Sequence, residues 1–233
     1  MCEKQQSPAR QNRRRFLQAT SFSFGAASLP ALATAQTVPP PNARDQTPAE
    51  ALDLLTDGNR RFVAGNITAP NRNLARLQEV AARQTPMAAF LGCADSRVPI
   101  EIVFDQGFGD LFVTRIAGNV ANPEIIASLE FGTAVLGAKV LYVLGHTSCG
   151  AVAAASRGEE VPGQISSLFF HMRPAVRAAR GDLLLAIQEN VRNQAMLLAE
   201  ASPVIARLVR TGRVRVAGGV YDLATGRVTP VEL

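Results

Sequence analysis

Two short, uninterrupted apolar runs constrain this chain more than anything else in it: Met87 to Leu91, stopped by Gly92, and Val140 to Leu144, stopped by Gly145. Runs of this length without polar alternation are the pattern of strands buried on both faces, and such strands belong to parallel sheets covered by helices. Each run hands over at once to residues that carry chemistry. The first leads into Cys93-Ala94-Asp95-Ser96-Arg97 and the second into His146-Thr147-Ser148-Cys149. Open α/β sheets bind their ligands at the carboxyl ends of the strands, so the two segments are expected to converge on one place.

Two thiolates and one imidazole suit zinc, here one Zn2+ per subunit held by Cys93, His146 and Cys149. Three protein ligands leave the fourth tetrahedral position to water, and that vacancy separates a catalytic zinc from a structural one. The motif pair therefore implies a zinc hydratase or hydrolase. The competing reading is a disulfide between Cys93 and Cys149, since two cysteines in an oxidising compartment ordinarily pair. A disulfide, however, has no need of His146 three residues before Cys149, nor of Asp95 and Arg97 beside Cys93.

The composition, 47% hydrophobic and 18% charged over 233 residues, is that of an ordinary globular protein with one domain. The formal net charge of +5 suggests nucleic acid at first sight. Five of the 24 basic residues and one of the 19 acidic ones fall in the first 35 positions, which leaves 19 against 18. A nearly neutral domain gives no reason to expect a polyanion partner.

Residues 1–35 read as a targeting peptide: a basic start, an apolar Ala- and Ser-rich stretch from Phe16 to Leu32, then small residues before Gln36. Asn12-Arg13-Arg14-Arg15-Phe16-Leu17-Gln18 resembles the twin-arginine export signal. The expectation is a periplasmic or secreted protein, cleaved after Ala33 or Ala35, with no stable membrane insertion once the signal is removed. Residues 36–46, with Pro39 to Pro41, read as a stiff linker, and 47–233 as the domain.

Within the domain, Thr47-Pro48-Ala49-Glu50 predicts a capped helix start, with Leu52, Leu55, Phe62 and Val63 as its stripe. A second helix is expected from about Asn71 to Arg83. A further apolar run spans Leu111 to Ala117, and Asn122-Pro123-Glu124 caps a helix leading to the His146 strand. Helices follow over Gly150 onward, Gln164 to Arg180 with Pro174 kinking or interrupting it, Asp182 to Glu200, and a shorter one from Ser202-Pro203. Val214 to Leu223 and Arg227 to Val231 form a closing hairpin. The fold class is α/β: a mainly parallel central sheet flanked by helices, a C-terminal edge hairpin, and N-terminal helices free to embrace a second subunit.

These residues resemble the β class of carbonic anhydrases. The resemblance covers Cys93 to Arg97, Arg115-Ile116-Ala117-Gly118-Asn119, Glu130-Phe131 through His146-Thr147-Ser148-Cys149-Gly150, and the final hairpin. It implies reversible hydration of carbon dioxide to bicarbonate and a proton, with hydroxide generated at zinc as nucleophile, in a homodimer or homotetramer. By position, Cys93, His146 and Cys149 become the zinc ligands, Asp95 the acceptor that orients the attacking water, and Arg97 its partner. Asp95 is also an alternative fourth metal ligand when Arg97 releases it. Gln84 and Phe112 match positions that shape the substrate pocket. His171 is read as structural rather than as a proton shuttle. Two thiolates cancel the charge of zinc, so activity is expected to climb above roughly pH 7. Hydrolysis of carbonyl sulfide or carbon disulfide at the same site, or non-catalytic binding of zinc or bicarbonate, are the other readings. Intact Asp95 and Arg97 argue against the last.

Overall fold

The computed structural model describes residues 46–158 and 160–233; the expected signal peptide and nearly all of the linker lie outside these residues. The elements run α1 (Pro48–Val63), α2 (Leu74–Val80), β1 (Ala88–Gly92), α3 (Ile100–Val103), β2 (Leu111–Arg115), α4 (Pro123–Glu130) continuing as a π-helical turn (Phe131–Val135), and β3 (Val140–His146). After these come α5 (Gly150–Arg157), α6 (Ser166–Ala179), α7 (Leu183–Ala201), α8 (Pro203–Arg210), β4 (Arg215–Tyr221) and β5 (Val228–Pro230). Among the described residues no helix is long and apolar enough to cross a membrane.

The two apolar runs are the central strands. Every residue of β1 and β3 is buried, and the sheet order is β2-β1-β3-β4-β5. β1 to β4 pair in parallel and β5 runs antiparallel to β4, which is the expected α/β sheet with its edge hairpin. Alternation along the strands divides the side chains between two cores. Ala88, Phe90, Val140, Tyr142 and Leu144 pack with Leu55 of α1 and with Ile100, Val103 and Phe104. Ala89, Leu91, Leu141 and Val143 pack with Met172, Ile187, Val191 and Leu198 on the helical side.

α1 forms as its capping box requires: the Thr47 hydroxyl takes the Glu50 N–H at 3.2 Å while Glu50 returns to the Thr47 N–H at 2.7 Å. Its buried face closes its own sheet, and Asn59 donates to Val103 O and Gly226 O and accepts from Val228 N. α2 by contrast buries no residue and leaves Leu74 and Leu77 exposed.

Several boundaries differ from expectation. α2 is shorter than Asn71 to Arg83, because Asn71 has φ +56° and gives its amide to the Asp110 carboxylate, leaving Asn73 to cap the helix. β2 stops at Arg115 rather than Ala117. Pro174 does not interrupt α6 but lies inside it.

Asp105, at the end of α3, is fully buried with φ +47° and gathers the chain that follows α1. Its carboxylate accepts from Arg61 Nε at 2.7 Å, Thr68 N at 3.0 Å, Thr68 Oγ1 at 2.9 Å and Ala69 N at 2.9 Å. Burial alone would raise its pKa; the donors from Thr68, Arg61 and Ala69 outweigh burial and hold it at about 2, against 3.8 for a free aspartate. A depressed carboxylate stabilises the fold above its unfolded pKa, and that contribution disappears as the pH falls through the folded one. Asp105→Asn is expected to lower stability at neutral pH by about 2 kcal/mol. The variant should also flatten the loss of stability between about pH 5 and pH 2, as urea unfolding across that range will read.

Candidate metal centre

The register Gly92↔Leu144 sets the carboxyl ends of β1 and β3 side by side, so the residues leaving each strand meet. The chain reaches β2 on one side of β1 and then β3 on the other, which makes this the switch point of the sheet. Here the ligand atoms of Cys93, His146 and Cys149 lie within 4.8 Å of one another, all buried. Both cysteines are free, so the disulfide reading fails.

Local backbone chemistry makes the convergence precise. Ser148 adopts φ +55°, a left-handed turn that brings Cys149 round to the start of α5, where it is the N-cap residue. Thr147 anchors this turn to β4 by donating its N–H to Tyr221 O at 2.9 Å and accepting the Leu223 N–H on its hydroxyl at 3.0 Å. On the other segment, Arg115 Nε donates to Cys93 O at 2.9 Å and its Nη2 to Asp95 O at 2.5 Å. Arg115 thus fixes the backbone of the Cys93–Asp95 loop, a role its place in a recognised turn did not disclose.

The donor set fits a zinc ion on three grounds. His146 Nδ1 stands 3.0 Å from Thr147 O, and a carbonyl can only accept, so Nδ1 carries the proton and Nε2 presents its lone pair. That Nε2 is buried without a hydrogen-bond partner, as a metal-ligating nitrogen would be before its ion is counted. The sulfurs complete the case. A hydrogen bond from Cys149, with burial opposing it, pulls the Cys93 thiol well below its ordinary range; the same bond, then burial and the charge on Cys93, pushes Cys149 up. Two thiolates at this distance repel each other, and a divalent cation removes the conflict.

Asp95 stands beside the cluster, its Oδ2 3.8 Å from His146 Nε2, with the carboxylate half-sheltered. Arg97 grips it from two sides: Nε to Oδ1 at 2.9 Å and Nη2 to Oδ2 at 2.7 Å, with the Arg97 N–H also on Oδ1 at 2.9 Å. The Arg97 hydrogen bonds, against a smaller opposing effect of burial, hold Asp95 well below the usual carboxylate range, so it is ionised at working pH. Held this way, Asp95 is outside the three-residue cluster.

Gln84, Phe112 and His171 are not among the three clustered ligands. Gln84 is exposed on the segment after α2, beside a groove it shares with Val135 and Leu136. Phe112 is half-buried on β2, its ring 6.2 Å from that of Phe131. His171 lies on α6 against Phe170 and takes no part in the cluster.

A parallel α/β sheet with two sulfurs and one imidazole nitrogen gathered at its switch point, and an ionised carboxylate beside them, has the donor set of a catalytic metal enzyme. Comparison with known proteins agrees. The carbonic anhydrase family model matches residues 88–228. Carbonic anhydrase 2 of Mycobacterium tuberculosis is 37% identical over 188 residues, spanning 77% of this chain and 91% of that protein. The β-carbonic anhydrase of Coccomyxa, solved with acetazolamide, has 26% identity and a TM-score of 0.61 over 77% of this chain and 86% of its own. One of two tetrameric β-carbonic anhydrases of Sordaria macrospora shares the fold at 21% identity, with a TM-score of 0.65 over 79% of this chain and 98% of its own. This chain belongs to the carbonic anhydrase family, in its β class.

Proposed function

We propose that the protein interconverts carbon dioxide and bicarbonate, using one Zn2+ per subunit held by Cys93, His146 and Cys149. The observation that carries this reading is the Asp95 carboxylate, clamped by Arg97 with Oδ2 3.8 Å from His146 Nε2. A site that only stores metal has no use for an ionised carboxylate aimed beside it. Bound zinc supplies Lewis acidity, which lowers the pKa of water toward neutrality.

The chain's own residues do the rest. Asp95 accepts a hydrogen bond from the attacking water and turns its lone pair toward the carbon of carbon dioxide. Arg97 balances the carboxylate charge and prevents Asp95 from swinging into the metal position. Val120, Ala121 and Val152, clustered with the two sulfurs, keep bulk water from the ligands. Gln84 and Phe112 are proposed as substrate contacts, the first through its amide and the second as a dry wall.

Stopped-flow hydration of carbon dioxide tests the reading. Because two thiolates offset the ionic charge, the rate of the zinc-loaded protein should rise steadily from roughly pH 7 to pH 9. A flat profile over that range, or no rate above buffer, would contradict it.

Two further features belong to the same proposal. The exposed apolar side chains of α2 and the position of β2 at the edge of the sheet, among the described residues, support assembly as a homodimer or homotetramer, which light scattering will measure. The twin-arginine-like segment at residues 12–18 supports export to the periplasm, and the N-terminal mass of the mature protein should begin near Gln36.

A further inference from the structure

α7 buries Ala186, Ile187, Val191, Ala195 and Leu198 in the core. Between them it also buries Asn190 and Gln194, 1% and 2% exposed. Amide side chains in such surroundings destabilise the fold unless their polar atoms are matched. Each of them bonds the loop that follows β2. Asn190 Nδ2 donates to Gly118 O at 2.8 Å, and Ala121 N donates to Gln194 Oε1 at 2.8 Å. Gln194 Nε2 braces the pair, 3.3 Å from Asn190 Oδ1 and 3.3 Å from His171 O on α6.

The residue gripped by Asn190 is itself in contact with the metal centre. Gly118 donates its N–H to Cys93 Sγ at 3.4 Å. Only glycine suits the position: φ is +75°, and a Cβ there would stand 2.7 Å from Met172 Sδ. Hydrogen bonds thus run from Gln194 to Asn190 and on to the carbonyl of Gly118, and the N–H on the other side of the same Cα reaches the first cysteine.

We propose that Asn190, braced by Gln194, is a positioning residue for the metal centre: it holds the Gly118 N–H against the Cys93 sulfur and so limits the charge that sulfur gives to the ion it ligates. The inference rests on reading Cys93, His146 and Cys149 as a metal site. A hydrogen bond to a thiolate stabilises its lone pairs. Losing it raises their energy and moves sulfur-to-metal charge transfer to longer wavelength. Partners behind a ligand also restrain its geometry, and removing one weakens metal binding by about 10–100-fold.

The full chain loaded with cobalt(II) gives the test, with Asn190→Leu compared against the parent and against Leu198→Ala. Leu198 is fully buried on the same helix, so its truncation destabilises the core while sparing every hydrogen bond of the loop. Asn190→Leu is expected to shift the sulfur-to-cobalt band to longer wavelength and to bind cobalt about 10-fold more weakly in competition with a chelator. Leu198→Ala should match the parent in both. An unmoved band in Asn190→Leu, or an equal shift in Leu198→Ala, overturns the proposal. Should Asn190→Leu not fold, the parent loaded with cadmium-113 decides: the Gly118 amide must show scalar coupling to the metal through Cys93 Sγ, and its absence overturns the proposal. A parent that takes up neither metal instead refutes the metal site itself, and this inference with it.

Discussion

Cys149→Ala is expected to empty the centre of metal and reduce carbon dioxide hydration to the buffer rate in the same step. The cluster has three ligand atoms within 4.8 Å of one another, and this substitution leaves two, a thiolate and an imidazole. Loss of a partner behind a ligand already weakens metal binding by about 10–100-fold, so loss of a ligand should exceed about 100-fold. Metal analysis of the purified variant is the direct measurement. Folding should survive, since Cys149 contributes a small buried side chain at the start of α5 and its neighbour Ser148 still makes the turn. A variant that retained a full complement of zinc and its turnover would show that the two sulfurs do not act together on one ion.

How much of this was readable in advance depended on whether a residue's meaning is local. β1 and β3 announced themselves as continuous apolar runs, and a parallel sheet then forced Cys93 and His146 together, so the centre could be assembled from two short segments. The helix caps at Thr47 and Asn122 were legible for the same reason: each side chain serves an N–H three residues on. Asn71 misled because its left-handed backbone is set by Asp110, well outside any helical window. The π-helical turn from Phe131 was equally hidden, since Gly132 is required by the Phe112 ring packed over it, where a Cβ would come within 2.8 Å. Asp105 and Asn190 illustrate the limit. The partners of Asp105 lie 33 to 44 residues away and the Gly118 carbonyl lies 72 residues from Asn190, and nothing in their own neighbourhood distinguishes a buried anchor from a polar residue at the surface.

Asp95→Asn should lower kcat/KM for carbon dioxide by about 100-fold or more while leaving the metal content unchanged. The substitution keeps shape and volume and removes two properties. The first is charge: Arg97 now faces a neutral amide, so its guanidinium loses the carboxylate to which Nε and Nη2 both donate. The second is acceptor character, because the amide nitrogen, if turned toward the attacking water, can only donate where the carboxylate accepted. Metal content separates the two roles assigned to this residue. In the observed arrangement Asp95 is held by Arg97 and lies outside the three-ligand cluster, so zinc should be retained and only turnover lost. If zinc left with the carboxylate, Asp95 would be a ligand rather than an orienting group. The pH profile adds an independent check: the parent's Asp95 stays ionised far below neutrality, so the alkaline rise in rate belongs to the metal-activated water and should persist, scaled down, in the variant.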